Sequence, residues 1–294
     1  MHLPLESVPN FSEGRDRGTL DALAAALTEH ARLLDVHADP DHNRSVFTLV
    51  GSEEQLLESL VAGVACARER IDLRRHEGAH PRVGAADVVP IVPIRPDEMP
   101  RAKAAALVLA ERIGGELRLP VFVYAELAPG RGPAFFRSGG LGRLRERVAA
   151  GELTPDFGPS EIDDRSGAVL VGARGPLIAF NVNLRGPLEA AREIAAMVRE
   201  RDGGFPGVRA LGLDLARAGA VQVSMNVEDW EASALHELVA AIRREADERG
   251  AEVLGAELVG LMPGGAAAVA AGAALGIEGF DATRVLELRL LDPD

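Results

Sequence analysis

A single cysteine, Cys66, serves the whole 294-residue chain. No disulfide can form within the chain, and neither a CxxC redox pair nor a thiolate zinc site can be built. Cys66 lies in an Ala- and Leu-rich helical stretch and reads as packing rather than as a nucleophile. No run of about 18 apolar residues occurs, and the opening Met1-His2-Leu3-Pro4-Leu5-Glu6 has neither the basic start nor the apolar stretch of a secretory leader. The expected setting is the cytoplasm, with no membrane partner. Aromatic residues make up 4% of the chain, which leaves few rings on which to stack a flat ligand. Positive charge is short as well: 32 Lys and Arg face 45 Asp and Glu, a formal net charge of −13. Nucleic acid needs a basic face, so no nucleic-acid partner is expected. An anionic small molecule needs only a local arginine cluster.

Core-forming residues are plentiful, at 47% hydrophobic, enough for one large or two medium domains. Period and punctuation predict a strand over 5–10 and a helix over 16–30, with Leu20, Leu23, Ala24 and Leu27 on one face. Strands at 33–38 and 45–51, a helix at 54–71 and an apolar strand at 87–94 complete a β-α-β-β-α-β order, the ferredoxin-like split unit. A further helix (96–117) and strand (121–125) enlarge this half. The Gly-, Pro- and Arg-rich stretch 129–167 reads as a linker or functional loop. Beyond it, strand 177–184, helix 187–201, strands 208–215 and 220–227, helix 232–248 and strand 253–262 repeat the order, and 264–291 reads as one or two small helices. The expected fold is α/β, with two ferredoxin-like subdomains at 1–175 and 176–294.

Two strands of the second half have a distinctive face. Val221-Gln222-Val223-Ser224-Met225-Asn226-Val227 alternates strictly, and Phe180-Asn181-Val182-Asn183-Leu184 repeats the pattern. Asn181, Asn183, Gln222, Ser224 and Asn226 would suit a polar groove that positions a ligand. An ordinary solvated sheet face accounts for them equally well.

Chemistry concentrates in two loops. Of the seven histidines, His37, His42, His76 and His80 fall in Asp35-Val36-His37-Ala38-Asp39-Pro40-Asp41-His42-Asn43-Arg44 and Arg75-His76-Glu77-Gly78-Ala79-His80-Pro81-Arg82-Val83-Gly84. Pro81 biases His80 away from helical dihedrals, and Gly78 and Gly84 permit turns on either side. An imidazole held this way can take and return a proton near neutral pH. Arg82, Arg44 and Arg174 are candidates to grip carboxylates through paired hydrogen bonds, so Arg82→Lys is expected to raise KM. Asp39 or Asp41 can orient a cationic group. A metal-dependent amidine or formyl hydrolase built on the His/Asp cluster is the rival, since mixed His and carboxylate sets hold zinc or manganese. No HExxH helix or other strong metal spacing occurs, and no metal is expected. No GxSxG elbow supports a serine hydrolase, and Ser138-Gly139-Gly140-Leu141-Gly142 fits neither phosphate fingerprint.

Several longer motifs carry a resemblance. Val8-Pro9-Asn10-Phe11-Ser12-Glu13-Gly14-Arg15, Asn43-Arg44-Ser45-Val46-Phe47-Thr48, His80-Pro81-Arg82-Val83-Gly84-Ala85-Ala86-Asp87-Val88, Pro155-Asp156-Phe157-Gly158-Pro159 and Leu177-Ile178-Ala179-Phe180-Asn181-Val182-Asn183-Leu184 stand in register along the chain. Together they resemble the glutamate formiminotransferase family, fused to a cyclodeaminase in animals and often free-standing in bacteria. The resemblance implies transfer of a formimino group from formiminoglutamate to tetrahydrofolate, facing sheets with a ligand channel between the subdomains, and a homodimer. It implies that His80 is the catalytic histidine and that tetrahydrofolate, as co-substrate, is contacted by the segment containing Gly158, Pro159, Ser160 and Gly167. Asn10, Asn43, Gly84, Asp87 and Glu126 complete the candidate substrate-binding set with Asp39, Asp41, Arg44, Arg82, Arg174, Asn181, Asn183 and Asn226. The segment 161–166 is charged and offers no ring, which keeps open a non-catalytic folate- or amino-acid-binding homologue.

Overall fold

Side-chain caps decide where the first helices begin. Asp16 accepts from the Thr19 N–H at 2.9 Å and starts α1 (Arg17–Leu27). Ser52 and Gln55 form a reciprocal capping box that starts α2 (Glu53–Arg70). The computed structural model describes residues 3–291 and divides after Gly175 into two units, each with a core of its own.

The first unit is built on a seven-stranded sheet. β1 (Leu5–Ser7), β2 (Asn10–Phe11), β3 (Arg32–Asp39), β4 (Arg44–Gly51) and β5 (Ala86–Pro93) lie with β3 outermost, then β4, then β1 and β2 in line, then β5, all antiparallel neighbours. The strand expected over 5–10 is thus two pieces. Pro9, which has no N–H to give a ladder, stands at the break and offers only its carbonyl, to the Phe47 N–H at 3.1 Å. α3 (Met99–Glu116) leads to β6 (Val121–Ala125), and β7 (Val169–Ala173) runs between β5 and β6, parallel to both. Helices α1 to α3 bury one face, where Phe11, Phe47, Leu49, Leu60, Ile91 and Leu109 pack without solvent contact or nearly so.

The other face is covered too, against expectation. The supposed linker 129–167 contains α4 (Pro133–Arg137) and α5 (Gly140–Ala149), and it packs Phe136, Leu144, Leu153 and Ile162 onto Phe122, Tyr124 and Leu170. Alternate residues of β6 and β7 serve the two cores, as strand geometry requires: Val121, Val123, Val169 and Val171 belong to the helix side.

The second unit follows the split βαβ order: β8 (Ile178–Arg185), α6 (Leu188–Val198), β9 (Val208–Leu215), β10 (Ala220–Val227), α7 (Leu235–Glu248) and β11 (Glu252–Val259). Its sheet order is β11-β8-β10-β9, antiparallel throughout, as a ferredoxin-like unit should be. Val182, Leu184, Val221, Val223 and Met225 pack with Ile194 of α6 and Ile242 of α7. α8 (Gly264–Leu275) and α9 (Leu286–Leu291) end the described chain. Among the described residues no helix is long and apolar enough to cross a membrane.

Candidate active site

Two turns of the first unit are sewn together at the ends of β3, β4 and β5. β3 runs on through Asp39, so the first histidine-bearing segment is mostly strand and the turn itself is short. Asp39 Oδ1 closes it by accepting from the N–H groups of Asp41 and His42, both at 2.7 Å. Asn43 takes a left-handed φ of 45°, a region asparagine tolerates. Its amide is used at both ends: Oδ1 accepts from Gly14 N–H at 3.0 Å and Nδ2 donates to the Glu77 carbonyl at 3.0 Å. The Ala79 N–H donates to the Asp41 carbonyl at 3.0 Å, which stitches the second turn to the first.

Arg82 lies at the centre of this seam, half-buried. Its Nε donates to the His80 carbonyl at 3.1 Å, and its Nη2 to the carbonyls of His80 at 2.6 Å and His42 at 2.7 Å. Its Nη1 reaches the Asn43 carbonyl at 2.9 Å and His76 Nε2 at 2.7 Å. The expected grip on a ligand carboxylate is therefore not what its guanidinium is doing. Desolvation and the neighbouring Arg44 lower its pKa to about 10, which leaves it charged at neutral pH.

Below the seam is a buried ionic hub. The Asp87 carboxylate accepts from Arg44 Nη1 at 2.7 Å, Arg137 Nη2 at 2.5 Å and Val83 N–H at 2.8 Å. Arg44 also gives Nε and Nη2 to Asn10 Oδ1, at 3.1 and 2.9 Å. Burial alone would raise the Asp87 pKa, but the two guanidinium groups outweigh it and hold the carboxyl well below the usual carboxylate range. Desolvation brings Arg44 down to about 10, against the pull of Asp87. Arg137 was not among the expected site residues. It stands on the short α4, and its approach to Asp87 spans fifty positions of chain.

His80 sits beside this hub, half-buried, with its ring 5.8 Å from that of His42. Its Nδ1 is 2.8 Å from the Pro81 carbonyl. A carbonyl only accepts, so Nδ1 carries the hydrogen and Nε2 the lone pair. Burial first, then the charges of Arg44 and Arg137, hold its pKa well below that of a free imidazole, with Asp87 pulling weakly the other way. The ring is neutral and basic at Nε2 near pH 7.

The remaining candidates fall into groups. Gly84 pairs with Gly167 across a two-residue bridge, and a Cβ at Gly84 would overlap the Ala168 carbonyl, so this end of the presumed folate segment adjoins the His80 turn. Gly158, with φ of 79°, instead packs under α3 against Gly114 and Leu119, while Pro159 is half-buried and Ser160 is exposed. Asp41 is half-buried near the seam. Glu126 is exposed past β6, and Arg174 gives Nη1 to the Gly175 carbonyl at 2.9 Å while its charge reaches Glu6 and Tyr124. In the second unit Asn181, Asn183, Gln222, Ser224 and Asn226 share the sheet face away from α6 and α7, with Gln222 Nε2 donating to Asn183 Oδ1 at 2.9 Å and Asn181 Nδ2 to Glu257 at 3.2 Å. Glu257, the register partner of Asn181, joins that face without having been expected there.

A neutral imidazole with a basic nitrogen beside several guanidinium groups, on a mixed α/β scaffold of two β-α units, is the equipment of an enzyme that moves protons, and the guanidinium groups suit anionic ligands. The comparisons make this particular. Residues 4–174 match the N-terminal subdomain of the formiminotransferase domain, and residues 179–275 match the formiminotransferase domain. The chain is 38% identical to the glutamate formimidoyltransferase of Thermoplasma acidophilum, covering 97% of each, and 38% identical to that of Streptococcus pyogenes, covering 98% of each. It is 41% identical to the formimidoyltransferase-cyclodeaminase of Rattus norvegicus over 88% of this chain and 50% of the rat protein. The chain belongs to the formiminotransferase family.

Proposed function

We propose that the protein transfers the formimino group of N-formimino-L-glutamate to tetrahydrofolate, yielding 5-formiminotetrahydrofolate and glutamate, with His80 as general acid/base. The observation that carries this reading is the His80 ring itself: neutral, with Nδ1 committed to Pro81 and Nε2 left to accept a proton. The near full-length relatives from Thermoplasma acidophilum and Streptococcus pyogenes are glutamate formimidoyltransferases, which supplies the reaction.

In the proposed sequence the N5 amine of tetrahydrofolate forms a bond to the formimino carbon and gives its proton to His80 Nε2. The carbon–nitrogen bond to glutamate then breaks, and the same proton passes to the departing nitrogen. One residue serves both halves, and no covalent enzyme intermediate is required. Arg44 and Arg137 have N–H groups beyond those on Asp87 and Asn10, and they are the cations offered to donor carboxylates. Asp39 or Asp41 orients the amidinium. The segment from Gly158 to Gly167 is assigned to folate, and Asn181, Asn183 and Asn226 to substrate. Small-molecule partners, a homodimer and a cytoplasmic setting belong to the same proposal.

The test is release of free glutamate from formiminoglutamate plus tetrahydrofolate, compared with formylglutamate as donor. Release with the formimino donor at well above the formyl rate is expected. Calorimetric binding of both substrates with no release would replace the transferase by a binding protein.

A further inference from the structure

A guanidinium has five N–H groups and no acceptor, and four of those on Arg82 are placed on backbone carbonyls: two on that of His80 and one each on those of His42 and Asn43. The fork is thus spent on the protein's own backbone and not free to grip a carboxylate through two parallel bonds. His76 Nε2 stands between Arg82 Nη1 at 2.7 Å and the Asn43 carbonyl at 2.9 Å, a donor on one side and an acceptor on the other. Burial and the Arg82 charge push the His76 pKa downward, against its hydrogen bond with the Asn43 carbonyl.

We infer that Arg82 is a positioning residue: its guanidinium clips the turn at His42 and Asn43 to the turn at His80, and so fixes where the His80 ring points. The glycine at position 78 is a second feature of the same seam. A Cβ on Gly78 would overlap the His42 carbonyl oxygen and stand 2.6 Å from Arg82 Nη2. The closeness of the two turns at the clip therefore depends on glycine at that place. Lysine cannot substitute, since its donors radiate from one atom and cannot span three carbonyls.

The inference deepens the transfer reading and rests on it for its kinetic test. Arg82→Lys and, separately, Gly78→Ala are assayed beside the unaltered chain, with folded fraction followed by thermal melting. Each variant should lose about 10- to 100-fold in kcat, the scale produced when a reacting group moves by about an ångström. KM for formiminoglutamate should stay within about twofold, because no substrate contact is removed. A raised KM with kcat intact would make Arg82 a substrate ligand and overturn the inference. So would activity that falls only in proportion to unfolded chain, or no change in either variant. Should the unaltered chain release no glutamate, the transfer reading fails by itself. The clip is then judged from the ring resonances of His42 and His80 by NMR: displaced in Arg82→Lys they support it, unmoved they refute it.

Discussion

His80 is surrounded by positive charge, and this sets the sign of its pH behaviour. Arg44, Arg137 and His42 all disfavour a second cation there, in addition to burial. The base form therefore persists to pH values below the 6.5 of a free imidazole, and the acid limb of kcat/KM should lie below that value. Arg137→Gln removes one of those cations while Asp87 stays ionised, so the His80 pKa should rise and the acid limb should move toward neutral pH. A pH profile of kcat/KM decides it, and a limb that stays put or moves to lower pH would refute the electrostatic assignment. His80→Ala should reduce kcat by about 10²- to 10⁴-fold with little effect on KM, the usual share of general acid/base catalysis. Much of this was legible from the sequence, because Pro81 between two nearby glycines marks a constrained imidazole. The partners were less so. Arg82 looks like a carboxylate grip until its hydrogen bonds are seen, and Arg137 lies in a stretch with no periodic signal, fifty positions from the carboxylate it meets.

Asp87 joins three elements: it stands on β5 and holds Arg44 of β4 and Arg137 of α4 while itself fully buried. Removing it would leave two guanidinium groups buried without their anion, so Asp87→Ala should cost about 3–5 kcal/mol of stability in denaturant unfolding at neutral pH. The pH dependence has a definite direction. The folded-state pKa lies below the unfolded value near 3.8, so the contribution is present above that value and is lost as pH falls toward the depressed one. The difference between the unaltered chain and Asp87→Ala should thus shrink below about pH 4. A gap that is constant with pH would show that Asp87 is not held ionised by its neighbours. The same scale shows what sequence patterns catch and miss. Alternating strands such as β10 and capped amphipathic helices such as α1 declare themselves. β7 does not alternate, since it is buried on both faces as a strand between parallel neighbours, and α4 and α5 are too short and too glycine-rich at their starts to show a helical period. Yet these pieces build the second layer that carries Arg137.

For the whole molecule two opposed fields act on the substrates. The chain carries a formal −13, while the buried hub beside His80 sets the guanidinium groups of Arg44 and Arg137 against the carboxylate of Asp87. Formiminoglutamate and the folate tail are both anionic, so the global charge opposes approach while the local cations favour docking. Salt separates the two effects by distance. The screening length is ~30 Å at 0.01 M ionic strength and ~8 Å at 0.15 M, whereas the hub contacts are 2.7 Å or shorter and buried. Added salt therefore weakens the long-range repulsion first. For a protein of this reading, kcat/KM for formiminoglutamate should rise as ionic strength goes from ~0.01 M to ~0.15 M. Steady-state rates across that range, with a neutral osmolyte as control, provide the measurement. A steep fall instead would mean that the docking cations lie in open solvent, where screening reaches them, and not in the buried hub around Asp87.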